Sequence, residues 1–128
     1  MGFPRVRMRR MRRKESIRQM CSETRLSRDD LITPLFVVPG EDREEPIASL
    51  PGVHRYSVDL LSERCTQVVP PAVLVFGVPD EESKDENASA ALDENGAVPR
   101  ALEQLSADFP DLYLITDLCL CGYPSPGH

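Results

Sequence analysis

Leu112-Tyr113-Leu114-Ile115-Thr116-Asp117-Leu118-Cys119-Leu120-Cys121 is the stretch whose reading decides the fold. Its apolar residues read as a buried β-strand from Leu112 to Leu120. Side chains alternate across a strand, so Asp117, Cys119 and Cys121 fall on one face and Leu114, Leu118 and Leu120 on the other. One acid and two thiols are then expected at the carboxyl end of a strand, where open and closed α/β sheets keep their chemistry.

Two further runs of the same kind lie upstream, Leu31 to Val38 and Ala72 to Val78. Helical patterns separate them. One spans about Val58 to Val69, with Leu60, Leu61 and Val68 apolar and Ser57 or Asp59 as cap. The other spans about Val98 to Phe109, with Leu102, Leu105 and Phe109 on one face and Pro110 ending it. A helix from Glu15 to about Glu23 and a turn at Ser27-Arg28-Asp29-Asp30 precede the first strand. The order α-β-α-β-α-β predicts parallel strands joined by helical crossovers. Strand starts recur at a spacing of roughly 40 residues, and eight such units would close a barrel of roughly 320 residues. An open doubly wound sheet is the alternative, although no Gly-x-Gly-x-x-Gly loop follows any strand. Three strands alone would leave the sheet open at its edges, so the pattern reads as part of a larger α/β unit.

The net charge of −6 divides into two opposite parts. Residues 1–28 carry ten Lys/Arg against two Glu, and the remainder carries five against nineteen Asp/Glu. The basic stretch, Arg5 through Arg18 above all, fits a nucleic-acid or membrane patch, a transit peptide, or an arm that docks on an acidic partner surface. Few aromatics lie among the arginines, which speaks against stacking on bases. No apolar run approaches the roughly 20 residues that span a bilayer. No apolar segment follows the Arg-rich start as in a secretory signal. The four cysteines, Cys21, Cys65, Cys119 and Cys121, do not make a secreted disulfide framework, and a reducing cytoplasm is expected. Cys21 and Cys65 read as inert thiols. The acidic stretch Pro79–Asn95, with Lys84-Asp85 inside it, reads either as a solvated loop or as a substrate wall. Asp93-Glu94-Asn95-Gly96 reads as the turn into the following helix.

Cys119 and Cys121 form half of a metal site or two thiols packed as small hydrophobes. On a regular strand their Cβ atoms would stand about 6–7 Å apart, from a rise of ~3.3 Å per residue. Sharing one ion therefore requires a bend after Cys119, which Gly122, Pro124, Pro126 and Gly127 could supply.

Taken in order, Arg-x-Arg-Arg in the arm, Leu31-Ile32, Pro34-Leu35-Phe36-Val37, Pro46-Ile47-Ala48-Ser49-Leu50-Pro51-Gly52-Val53, Phe76-Gly77-Val78-Pro79, Lys84-Asp85, Phe109-Pro110-Asp111-Leu112 and Asp117-Leu118-Cys119-Leu120-Cys121 resemble porphobilinogen synthase (5-aminolevulinate dehydratase). The resemblance runs over essentially the whole chain and corresponds to about the first third of a family member. It implies residues 1–28 as an N-terminal arm and 29–128 as the first three βα units of a (β/α)₈ TIM barrel. It implies condensation of two 5-aminolevulinate molecules to porphobilinogen with loss of water, in tetrapyrrole synthesis. It implies Zn²⁺ held by an Asp-x-Cys-x-Cys-x₇-Cys pattern, with Mg²⁺ as a second, allosteric metal. Cys119 and Cys121 match the first two zinc ligands, and the third would directly follow His128, which itself is only a makeshift donor. Asp117 matches a carboxylate near the substrate. A homo-oligomer, commonly an octamer wrapped by the arm, is implied, with no nucleic acid and no membrane.

The chain departs from the family pattern at several places. Pro124 and Pro126 replace a threonine and a histidine, Ala88-Ser89 stands where Gly-Ser is common, and Val68-Val69-Pro70-Pro71 lacks a usual glycine. The two Schiff-base lysines of the family lie on later strands. The only lysines here are Lys14 and Lys84. A fragment that is inactive alone is the resulting expectation, with a non-catalytic truncated subunit or a basic-arm binding module as the alternatives.

Overall fold

A computed structural model describes residues 2–68 and 71–125. Five strands, β1 (Ile32–Val38), β2 (Glu44–Pro46), β3 (His54–Ser57), β4 (Ala72–Gly77) and β5 (Tyr113–Thr116), form one sheet in the order β2-β3-β1-β4-β5. The three strands expected from the sequence are adjacent and parallel: β1 pairs with β4 from Ile32↔Ala72 to Val37↔Gly77, and β4 pairs with β5 from Ala72↔Tyr113 to Val75↔Thr116. Three helices accompany them, α1 (Glu15–Met20), α2 (Leu61–Val68) and α3 (Ala97–Asp108). The first helix is shorter than its pattern suggested and stops at Met20. A 3₁₀ turn at Val58–Leu60 leads into α2.

Two elements escaped the periodicity. β3 runs parallel to the carboxyl half of β1, with Phe36↔Arg55 and Val38↔Ser57 in register, and β2 returns antiparallel along β3. Their residues are charged and few, so no alternation announces them. Tertiary clasps hold them instead. The buried Ser57 donates its N–H to the Arg43 carbonyl at 2.9 Å, and its hydroxyl accepts the Arg43 N–H at 2.9 Å. Because β3 reaches only Phe36–Val38, Pro34 sits where β1 has one neighbour, a place where a missing N–H is tolerated.

Residues in register share a face, so Leu35 with Val75, and Val73 with Leu114, point to the same side of the sheet. Helices α2 and α3 cover that side. Leu61 and Cys65 on α2, and Ala101 and Leu105 on α3, each four residues apart on one helical stripe, close over Leu35, Val37, Val73 and Val75. Across the helix pair, Gln104 donates to the Ser62 hydroxyl at 2.8 Å, and that hydroxyl donates to Asp108 at 2.5 Å. The opposite side, where Phe36 stacks on Phe76 at 5.3 Å, is only half-buried. Pro34 and Ile32 stand exposed there.

The third strand required correction. β5 ends at Thr116, so Asp117, Cys119 and Cys121 do not share a strand face. Leu118, expected on the buried side, is 97% exposed, and Leu120 is exposed as well. Apolar alternation continues past Thr116 and β4 runs two residues further, to Gly77, but the chain leaves the ladder as the Asp117 carboxylate accepts the Cys119 N–H.

Residues 2–28 pack little on this body. Nearly all are exposed, including Phe3, Met8, Met11, Met20 and Leu26. Arg28 makes one tie, donating to the Val68 carbonyl at 3.2 Å.

Candidate functional site

The carboxyl ends of β1, β4 and β5 open into a cavity of about 770 Å³. Phe36, Phe76, Val98, Leu102, Cys119 and Tyr123 are among its walls. Parallel strands deliver their carboxyl ends to the same rim, and the connecting segments there are free to carry polar groups. Here those segments are residues 78–96 and 117–125.

The second segment begins as Asp117 donates its N–H to the Val75 carbonyl at 3.4 Å, the last link to the sheet. It then turns on its own side chains. The Asp117 carboxylate accepts the Cys119 N–H at 3.2 Å, and the Cys119 sulfur accepts the Cys121 N–H at 3.4 Å. The bend that a shared ion would need is present after Cys119, where the Tyr123 N–H donates to the Leu120 carbonyl at 2.9 Å, and a further local turn at Asp117 precedes it. Cys119 is exposed and Cys121 half-buried. The Cys121 thiol is pushed up from its ordinary value, first by hydrogen bonding with the Cys119 side chain, then by burial and by the negative charge of Cys119 and Asp117. A cation between such groups would relieve that repulsion, so the soft donors suit a thiophilic metal. Among the described residues no three His, Cys, Asp or Glu side chains converge on one point, so Asp117 does not complete a cage. Pro126, Gly127 and His128, named in the sequence reading of this loop, lie outside the described residues, as do Val69 and Pro70.

The first segment meets the second at Asp85. Its carbonyl accepts the Ser125 N–H at 3.0 Å, in a bridge that pairs Asp85 with Pro124. The Asp85 carboxylate accepts the N–H groups of Ser89 and Asn87, both at 2.9 Å. The Ser89 N–H foremost, then the Ser89 hydroxyl, holds this carboxyl below the usual carboxylate range. Ala88, where the family pattern favours glycine, is buried in the left-handed region at φ 54°. A Cβ there costs roughly 1–2 kcal/mol. Ala88→Gly is therefore expected to stabilise the chain by about 0.5–1 kcal/mol, after the extra unfolded-state entropy of glycine is set against the relieved strain. A urea midpoint that moves down would contradict this.

Lys84 is held by Glu81, its ammonium 2.5 Å from the carboxylate. That pairing suits a structural lysine rather than a free amine nucleophile. Cys65 sits in the core with its thiol pushed up by burial, as befits an inert residue. Cys21 is exposed at the end of α1. Sequence reasoning missed the clasp at the rim, where Arg43 donates to the Pro39 carbonyl at 2.7 Å and to Asp80 at 3.1 Å, and pairs with Glu45 at 2.8 Å. Isolated charges in acidic surroundings give no signal of such a clasp.

A largely parallel, helix-covered sheet with an apolar cavity and a thiol-bearing loop at its carboxyl rim places these residues where α/β folds build their sites. The family model for delta-aminolevulinic acid dehydratase matches residues 5–128. The chain is 44% identical over 131 residues to delta-aminolevulinic acid dehydratase of Methanothermus sociabilis, covering 100% of this chain and 40% of that relative. It is 40% identical over 129 residues to the Archaeoglobus fulgidus enzyme of that name, covering 98% and 39%. Among solved structures, delta-aminolevulinic acid dehydratase (porphobilinogen synthase) from Toxoplasma gondii ME49, in complex with the reaction product porphobilinogen, superposes with a TM-score of 0.81. Identity is 33%, covering 94% of this chain and 35% of that one. The chain belongs to the delta-aminolevulinic acid dehydratase family. It spans 40% and 39% of the length of the two curated relatives just named. Its α/β sheet is that of a partial TIM barrel.

Proposed function

We propose that this chain supplies one wall of a porphobilinogen-forming site, in which two 5-aminolevulinate molecules condense with loss of water. The observation that carries the reading is the coincidence of the family match over residues 5–128 with a cavity at the strand ends flanked by Asp117, Cys119 and Cys121. In this reading Cys119 and Cys121 are two of the donors to a zinc ion, which when bound supplies Lewis acidity toward a carbonyl oxygen or a water. Asp117 lies on the cavity wall as a substrate-side carboxylate, and its backbone link to β4 fixes where that carboxylate stands. Phe36, Phe76 and Leu102 exclude water from the apolar part of the cavity. The exposed arm, basic and studded with Phe3, Met8, Met11 and Met20, suits docking on the acidic body of another subunit. A cytoplasmic location accords with the four free thiols. Among the described residues no helix is long and apolar enough to cross a membrane.

The 128-residue chain by itself is expected to form no porphobilinogen. Imine chemistry needs a desolvated lysine, whereas Lys84 is ion-paired and Lys14 lies in the exposed arm. The decisive experiment replaces the matching segment of the Methanothermus sociabilis relative with residues 1–128 and assays the chimera. Porphobilinogen formation that disappears in Cys119→Ala/Cys121→Ala is the expected result. A folded chimera without product, or one indifferent to the double substitution, would overturn the reading.

A further inference from the structure

Gly77 closes β4, paired with Val37, and its φ lies outside the left-handed region, so conformational freedom does not explain a glycine there. Space does. A Cβ built on Gly77 would stand 2.1 Å from the Tyr123 hydroxyl oxygen, 2.8 Å from Val98 Cγ2 and 3.2 Å from Tyr123 Cζ. The ring of Tyr123 rests where any side chain at Gly77 would be. The same tyrosine donates its N–H to the Leu120 carbonyl at 2.9 Å, closing the turn that contains Cys121. Two residues on, Ser125 is tied to Asp85 at 3.0 Å. The cysteine loop is thus fastened at Asp117 on the sheet and at Tyr123 and Ser125 beyond it, with both thiols in the span between.

We propose that Tyr123, seated on Gly77, is a positioning residue that sets the cysteine loop on the end of β4 and thereby fixes the spacing of Cys119 and Cys121. The proposal rests on the reading of these thiols as metal donors only for its consequence in metal capture. The seat itself is a statement about loop placement. Because the crowding is chiefly with the hydroxyl oxygen, removing that atom should make room for a methyl group at position 77. Cζ at 3.2 Å and Val98 Cγ2 at 2.8 Å must then give by a few tenths of an ångström, which a small displacement of the Tyr123 ring and of the first turn of α3 supplies.

The test uses the full 128-residue chain as Gly77→Ala, Tyr123→Ala, Tyr123→Phe and Gly77→Ala/Tyr123→Phe, each checked for folding by circular dichroism. Alkylation of Cys121 by iodoacetamide is read by mass spectrometry against the exposed Cys21 as internal standard. Expected is a severalfold rise in the Cys121/Cys21 ratio for Gly77→Ala and Tyr123→Ala, no change for Tyr123→Phe, and a return toward the parent ratio in the double variant. Non-additivity of that kind marks direct contact. A Gly77→Ala ratio equal to the parent, or a double variant no better than Gly77→Ala, would overturn the seat. Cobalt(II) titration of the same set separates the two claims. Loss of affinity of about tenfold in folded Gly77→Ala, with recovery in the double variant, supports the seat as an organiser of the donors. Absence of any thiolate-to-cobalt absorption in the parent chain counts against the metal reading and leaves the alkylation result to decide the seat.

Discussion

Leu105→Ala is expected to lower the stability of the chain by about 2–5 kcal/mol, the range for deleting a fully buried leucine from a core that relaxes only in part. Leu105 is completely buried on the inner stripe of α3, in the same cluster as Leu35, Val73 and Val75, and its neighbour across the helix pair is α2. The cluster holds ten buried residues and covers one side of the sheet only. A domain of this size commonly has only about 5–15 kcal/mol in hand, so such a loss is a large part of the whole. Leu118→Ala, at 97% exposure, is the matched control, expected to change stability by no more than about 0.5 kcal/mol. Urea unfolding of both variants checks the pair. Equal losses would mean that the strand continues through Leu118, contrary to the fold described.

Cys119→Ala/Cys121→Ala is expected to abolish zinc capture by the chain, with each single substitution losing most of it. Two thiolates with no third donor converging on them among the described residues make a weak site, because a catalytic zinc takes three protein ligands and a structural one four. Removing either sulfur leaves a single donor, little better than Cys21 on the surface. Competition with a chromophoric chelator measures the affinities. Binding at micromolar strength or tighter that persists in the double variant would place the metal elsewhere.

Strands β1, β4 and β5 and the two long helices were legible because each carries a long apolar stripe bounded by a breaker, such as Pro110 after α3 or Gly96 before it. β2 and β3 were not, because Glu44-Glu45-Pro46 and His54-Arg55-Tyr56-Ser57 become strands through partners distant in sequence, above all the exchange between Ser57 and Arg43. The opposite error occurred after Thr116, where alternating leucines imitate a strand but the chain turns on the Asp117 carboxylate instead of pairing. At the site, the cysteines and Asp117 were visible through their spacing and the family resemblance. The seat of Tyr123 was not, since a glycine kept for space, with an ordinary φ, looks in sequence like any glycine at the end of a strand. Ala88 lies between these cases. Its departure from the family pattern was legible, and the left-handed backbone that makes it matter was not.

X-ray absorption at the zinc edge, recorded on the zinc-loaded chain and on Cys119→Ala/Cys121→Ala, tests the central claim most directly. Expected are two sulfur scatterers at about 2.3 Å, the usual zinc–thiolate distance, and their loss in the double variant. A parent spectrum fitted by nitrogen and oxygen alone, or one unchanged by removing both cysteines, would contradict it.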